Sequence, residues 1–436
     1  MLPVLLMEPD SCGKRRRFSD TLMSPRRAPL ASLEDVKKRL REIRNDSVAH
    51  LESLRNELTS RLAAYPEVEV TFAGDAALAA ETIHEISEGR PIAVSKSAVV
   101  RNELKPELVT SGFRVIETYY DQFEPFENRF AEPWQLPTIG YESVPGCFDL
   151  SRNLLTLRQT KIQNQGSKNF VGLLGVNAIS AKDGAVVMLQ HMHNISTVFE
   201  EAKDLILVAS LDKIVKDVED AVFMTRCMAT FGWDAIPLSI HGKTTNEQAM
   251  DKRPFDIPAG QTEGKIHLIV FDNGRSRILD TPYRDLMACI GCRACIKGCP
   301  AFPFFGDANQ WSPKEYIFFF ATGKNPSLDL CLQCKSCQAN CPLDIDLPGM
   351  ILEARTEAMA KRGHSLSDRF FSHVETITRW GGAVPVVSDM AARNKGLRWL
   401  GEKVLDISKE RDLPRMQRRT FTKWFRSTAD RNVEEK

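Results

Sequence analysis

A chain of 436 residues with 43% hydrophobic and 26% charged residues has the balance of a folded globular protein, and its length suits two or three domains. A formal net charge of +1 gives no support to nucleic-acid binding. Apolar runs such as 316–321 fall far short of the roughly 18 residues a spanning helix needs, so any work at a membrane is done from its surface.

At the start of the chain a short apolar run precedes the basic cluster 14–17, the reverse order from a secretory signal. Residues 1–30 read as a disordered extension whose basic run is a solvated tail rather than a lipid or nucleic-acid contact. The expected location is cytoplasmic, with any membrane contact peripheral, at the inner face. In that reducing compartment a dense cysteine array points to metal before disulfides. Next, Ser32 to Asp35 has the form of a capping box, and apolar residues recur at Val36, Leu40, Ile43, Leu51, Leu54 and Leu58. This predicts one long amphipathic helix ending near Tyr65 and Pro66. Short β-branched runs at 68–72, 92–94 and 113–117 then alternate with helical stretches at 76–86 and 99–110, the pattern of a parallel α/β sheet. Runs at 171–179, 185–190 and 204–209 extend that sheet, 217–231 reads as a helix, 243–264 as a polar surface loop and 266–271 as the last strand. The α/β domain therefore spans 31–275. A second domain at 276–360 holds the cysteines, and helices with a basic, aromatic tail fill 361–436.

Eight of the eleven cysteines fall into two copies of one motif: Cys289, Cys292, Cys295 and Cys299 before Pro300, and Cys331, Cys334, Cys337 and Cys341 before Pro342. Both copies follow C-x2-C-x2-C-x3-C-P, in which three close cysteines hold one 4Fe-4S cluster and the fourth reaches the neighbouring cluster. Two 4Fe-4S clusters are expected, one on Cys289, Cys292, Cys295 and Cys341, the other on Cys331, Cys334, Cys337 and Cys299. Structural zinc is the competing account, but its sites use two separated cysteine pairs and have no use for a third cysteine at the next step. Ser312, Pro313 and Glu315 mark a helix start between the motifs, and another helix follows Pro348. This favours a helical two-cluster ferredoxin domain over the small βαβ type. No glycine-rich nucleotide fingerprint is present, so a partner carrying flavin or another redox group is implied. Cys12, Cys147 and Cys227 stand alone and read as buried or incidental thiols.

The stretch 271–306, FDNGRSRILDTPYRDLMACIGCRACIKGCPAFPFFG, resembles the junction in the LUD-domain iron-sulfur subunit of bacterial lactate-utilisation complexes. AVSKSAVVRNEL with GFRVIET, GLLGVNAISAKDGAVVMLQHMHNIS and the closing RDLPRMQRRTFTKWF are similar to further segments of that family, so the resemblance covers about 31–426. It implies an isomerase/CoA-transferase-like LUD domain of α/β type followed by the cluster domain. It also implies two partners, a cysteine-rich redox subunit and a second LUD-type subunit, and oxidation of L-lactate or a related 2-hydroxyacid with single electrons passed to an acceptor such as quinone. The sequence departs from the family at 119–122 and at 181–185, both where a ligand pocket is expected. Two rival readings are a LUD domain catalytic in isomerase or acyl-transfer chemistry with structural clusters, and a redox-sensing interaction protein.

By position in the matched segments Lys96, Asn177 and Asn194 are candidates for a substrate pocket at the strand ends; the plainer account makes them a solvated lysine and turn asparagines. His191 and His193 share a face if their strand continues, but no third metal ligand is evident. Asp272, Asn273, Gly274 and Arg275 form a turn into the cluster domain and are candidates to dock the two domains. In the tail, Arg415, Arg418, Arg419, Lys423 and Arg426 interleave with Phe421, Trp424 and Phe425, which suits a partner interface ahead of a membrane surface.

Overall fold

A computed structural model of the chain describes residues 2–7, 30–95, 97–118, 169–189, 195–232, 255–256, 265–304, 311–324, 326–411, 413, 415, 417, 421 and 424–428. They divide between two compact units, Met1–Ala354 and Arg355–Lys436.

The strands are β1 (Val4–Met7), β2 (Val68–Ala73), β3 (Ile92–Val94), β4 (Val115–Glu117), β5 (Val171–Gly175), β6 (Ala178–Ser180), β7 (Val186–Leu189), β8 (Asp204–Ser210), β9 (Ile214–Val215), β10 (Phe255–Asp256) and β11 (Ile266–Phe271). Six of them build a fully parallel sheet in the order β2-β11-β8-β5-β3-β4. Parallel sheets need helices on both faces, so their inner strands are apolar without alternation. The runs IHLIVF of β11 and LILVAS of β8 are accordingly buried throughout. Ile83, Val100, Leu104 and Leu108 from the neighbouring helices close on Val94, Leu173, Val208 and Phe271, each side chain contributing roughly 1.5–3 kcal/mol by leaving water.

Two expectations need correction here. The runs at 171–179 and 185–190 do not all extend the parallel sheet: β6 and β7 leave it for a second, mixed sheet of order β10-β1-β7-β6-β9. The divide falls at Val176 and Asn177, where the Asn177 N–H turns to the carbonyl of Val187. Strands buried on both faces carry no period that would assign them to one sheet or the other. Residues 1–30 are likewise not a disordered extension as a whole. Val4–Met7 pairs in parallel with β7 and antiparallel with β10, and Leu2 and Val4 are buried, because an apolar segment beside an open strand gains both ladder hydrogen bonds and burial.

The predicted long helix is two, Leu30–Ala49 and Leu51–Leu62, broken at His50, with Leu40, Ile43, Leu54 and Leu58 buried as the spacing requires. Asp75 caps Ala76–Ser87 and Asp217 caps Val218–Phe231, each side chain accepting a first-turn N–H. The helix expected at 99–110 opens with a π-helical turn, Val100–Leu104, before Lys105–Thr110. After β11 no strand occurs among the described residues. Pro313–Ala321 starts on the complete Ser312/Glu315 capping box with Pro313 in the first turn, and Leu347–Arg362 supplies the helix expected after Pro348.

The second unit contains helices Leu366–Ser372, Val374–Ala383, Pro385–Arg393 and Lys395–Leu405. Of their residues only Gly382 is buried, and Trp380, Val386 and Met390 are about 70% exposed. Among the described residues no helix is long and apolar enough to cross a membrane.

Candidate metal centre

The two cysteine motifs repeat in backbone as well as in sequence. Gly291 and Gln333, third in their motifs, have φ of 79° and 56°; Arg293 and Lys335, fifth, have 58° and 61°. A left-handed residue leading into helical backbone, as Arg293 does before Ala294–Ile296 and Lys335 before Ser336–Ala339, turns N–H groups to one side, a concavity suited to anions and to thiolates. At its edge Gly291 N–H donates to Cys289 Sγ at 3.3 Å. The Ala294 N–H reaches the Cys292 sulfur and the Ser336 N–H the equivalent Cys334 sulfur. The copies also hold each other, since the Asn340 amide donates to the carbonyl of Lys297 at 2.9 Å.

Electrostatics sorts the eight thiols into two groups. Burial pushes Cys292 up to about 12, with Cys289 and Cys341 adding to the rise. Cys295 lies well above the usual thiol range through burial, then Cys289, the nearby Glu315 and Cys292. Burial and then Cys289 raise Cys341, against hydrogen bonds from its own loop. In the other group burial pushes Cys337 up to about 12, reinforced by Cys299 and Cys331, and Cys299 rises through burial, Cys334 and Cys331. Cys334, the exposed member, is lowered by the N–H and hydroxyl of Ser336. Cys299, Cys331, Cys334 and Cys337 line one cavity of about 340 Å³, counting the solvent at its mouth, closed by Ala301 and Ile351.

This donor set fits a cubane cluster. Thiols are the ligands such a cluster takes, and N–H groups stand beside the sulfurs of Cys289, Cys292 and Cys334 to hydrogen-bond them. A pocket that disfavours bare thiolates binds them once iron supplies the opposite charge, and loading releases their protons.

The cysteine segment is anchored on the carboxyl ends of the parallel strands. Arg275, fully buried just after β11, donates Nη2 and Nη1 to the two oxygens of Glu103 at 2.7 and 2.9 Å and Nε to Asp212 at 2.5 Å. Its guanidinium lies over the ring of Phe318, 4.7 Å from the centroid, in the helix between the motifs. Although burial works against it, Glu103 and Asp212 raise the Arg275 pKa. Burial pulls Asp212 the other way, yet Lys213 and Arg275 hold it well below the usual carboxylate range. Arg44 donates to the carbonyls of Met287, Ala288 and Asp212 at 2.6 to 3.0 Å. Lys297 reaches back to the Phe231 carbonyl at 2.9 Å. At Gly232 a Cβ would stand 2.4 Å from the Met228 carbonyl oxygen and 2.9 Å from that of Cys292, so the helix end meets the cysteine loop backbone to backbone.

Of the other residues singled out by sequence, Asp272–Arg275 form the expected turn, with Asn273 and Gly274 at φ of 48° and 85°, and they join the α/β sheet to the cysteine segment. Asn177 has its amide committed: its oxygen accepts the Leu189 N–H at 2.8 Å and its nitrogen meets Met228 Sδ at 3.3 Å. In the departing segment 181–185, Asp183 ties its turn to Ser180, Val218 and Tyr65. Cys227 is buried, and burial raises its pKa. Lys96, Asn194, His191, His193, Cys12, Cys147 and residues 119–122 lie outside the described residues, as do Arg418, Arg419 and Lys423 of the tail. Phe421 packs 5.6 Å from Trp424 and 5.9 Å from Phe425, ring centre to ring centre, with all three exposed. Sequence reading missed Arg44, Glu103, Asp212 and Lys213. The one local sign was a charge within an apolar pattern: Arg44 sits on the stripe of Leu40, Ile43 and Ser47, and Asp212 and Lys213 interrupt 205–215.

The family described as LUD domain matches residues 57–237, and that described as 4Fe-4S dicluster domain matches 285–345. Lactate utilization protein B of Macrococcus caseolyticus is 24% identical over 93% of this chain and 91% of its own length. The protein of the same name from Bacillus pumilus is 24% identical over 88% and 87%. The Escherichia coli protein named uncharacterized electron transport protein YkgF is 27% identical over 48% of this chain and 44% of its own. No solved structure matches.

Proposed function

From a chain in which a LUD domain precedes a 4Fe-4S dicluster domain, we propose an iron-sulfur electron-transfer subunit of a multi-subunit complex that oxidises L-lactate or a related 2-hydroxyacid. The observation that carries it is the sorting of eight thiols into two quartets, each completed by the last cysteine of the other motif. Cys289, Cys292, Cys295 and Cys341 hold one cluster; Cys331, Cys334, Cys337 and Cys299 hold the other. A bound 4Fe-4S cluster takes up and gives back one electron at a time. The chain's residues supply the rest. Inward N–H groups favour the negative charge on sulfur, the buried wall at Cys295 excludes water, and the exposed edge at Cys334 leaves one side open to a redox partner.

Relatives named for lactate utilisation over nearly their whole length support the substrate class. The expected partners are a cysteine-rich redox subunit and a second LUD-type subunit, with quinone as the final acceptor. The exposed apolar helices of 366–405 and the aromatic tail support contact with those subunits or, peripherally, with the inner face of the membrane. Lys96, Asn177 and Asn194 remain the proposed pocket residues, Asn177 through its position beside β7 rather than a free amide.

Anaerobic preparation, iron and sulfide analysis and electron paramagnetic resonance test the cluster reading. The expected content is about eight irons per chain, falling to about four in Cys341→Ala with the other cluster's signal intact. Stoichiometric zinc would end this reading. Lactate is expected to reduce the clusters only when the co-purifying subunits are present, and failure with the whole complex would remove lactate as substrate.

A further inference from the structure

Resting on the cluster assignment above, we propose that Lys213 of the LUD domain raises the reduction potential of the cluster held at Cys289. Lys213 ends the short 3-10 turn Leu211–Lys213 at the carboxyl end of β8 and is 8% exposed. Its ammonium nitrogen stands 3.1 Å from Asp212 Oδ2 and 3.4 Å from the Cys289 carbonyl oxygen. A Cβ built on Gly291 would lie 3.3 Å from the same nitrogen, and the Gly291 N–H is the donor to Cys289 sulfur. The charge therefore rests against the loop that presents the first ligand.

Asp212 does not cancel it. That carboxylate is divided between two cations: Oδ1 accepts from Arg275, which it shares with Glu103, and Oδ2 meets Lys213, whose ammonium is the end of the pair that contacts the Cys289 carbonyl. Arg44 adds a second buried cation on the carbonyls of Met287 and Ala288, and Lys297 acts on Cys292. Against them stands the Glu315 carboxylate near Cys295. Around the other quartet the lining cation, Lys335, is exposed, where water screens it. Taking up an electron makes a thiolate-ligated cluster more negative, so a cation fixed in a dry site favours the reduced form. Lys213 is a positioning charge in this sense: it touches the loop and not the irons.

The full chain is prepared anaerobically as parent, Lys213→Gln, Lys213→Met and Lys213→Arg. Iron and sulfide are counted, and both midpoints are followed by electron paramagnetic resonance during a redox titration. The midpoint belonging to the Cys289 quartet is the one missing from Cys341→Ala. In Lys213→Gln and Lys213→Met it is expected to fall by about the equivalent of a tenfold change in equilibrium, 59 mV for one electron. The other midpoint stays, and Lys213→Arg returns close to the parent. Unchanged midpoints with both clusters present would overturn the proposal. So would loss of the cluster from both uncharged variants but not from Lys213→Arg, since the charge would then serve assembly and not potential. Parent protein without iron would instead overturn the cluster assignment, a result that iron analysis separates from the other two.

Discussion

Arg275 is the residue on which the join between sheet and cysteines turns. It satisfies two buried carboxylates, and removing it would strip buried Glu103 of its guanidinium and leave Asp212 to Lys213. Arg275→Ala is expected to cost about 3–5 kcal/mol, read as a lower unfolding temperature. Arg275→Lys recovers little of it, because an ammonium cannot fork to Glu103 while reaching Asp212. Asp220 makes a prediction of the opposite sign. Burial and then Asp217 raise its carboxyl from an ordinary 3.8 to about 6. The folded state thus holds this proton more tightly than the unfolded one, and the stability the proton provides is lost as pH rises from about 4 to about 6. Asp220→Asn is expected to be more stable than the parent at pH 7 by ~1–2 kcal/mol, the full shift being discounted for solvent at this half-buried site, and no more stable below about pH 4. Denaturant unfolding at the two pH values measures both. The network's members were illegible in advance for a simple reason: positions 44, 103, 212 and 275 come from four distant segments, and only the last lay in a turn that sequence could flag.

Among elements, the cysteine loops were the most legible, because ligand spacing is local chemistry and needs no tertiary context. The Ser312 cap, the Asp217 helix start and the parallel core strands were legible for the same kind of reason, a side chain answering its own backbone or a run of apolar residues. Assignment of β6 and β7 to a second sheet was not, since it depends on long-range partners for strands that are apolar on both sides. Nor was the π-helical turn Val100–Leu104, whose extra residue belongs to the stretch that carries Glu103 to Arg275. The contact of Val218–Phe231 with the first cysteine loop rests on Gly232, where two carbonyl oxygens crowd the missing Cβ. Gly232→Ala is expected to lower stability by about 1–3 kcal/mol and to reduce iron retained by the Cys289 quartet before that of the other. Iron analysis beside thermal unfolding checks it.

At the scale of the whole molecule, all eight motif cysteines and the ion network lie in the unit Met1–Ala354. A chain ending at Gly363 is therefore expected to keep its iron content and both resonance signals while failing to co-purify with partner subunits. A loss of iron on that truncation would show that the second unit is needed for the clusters. In the first unit the strand ends that α/β folds commonly offer to small molecules are here occupied at β8 and β11 by Arg275, Asp212 and Lys213. The interlaced quartets carry one more consequence, mechanical in kind. On the proposed assignment each final cysteine binds across the divide and the inorganic cores act as rivets, so a protease cut between Cys299 and Cys331 is expected to leave two fragments that migrate as one particle until the iron is chelated.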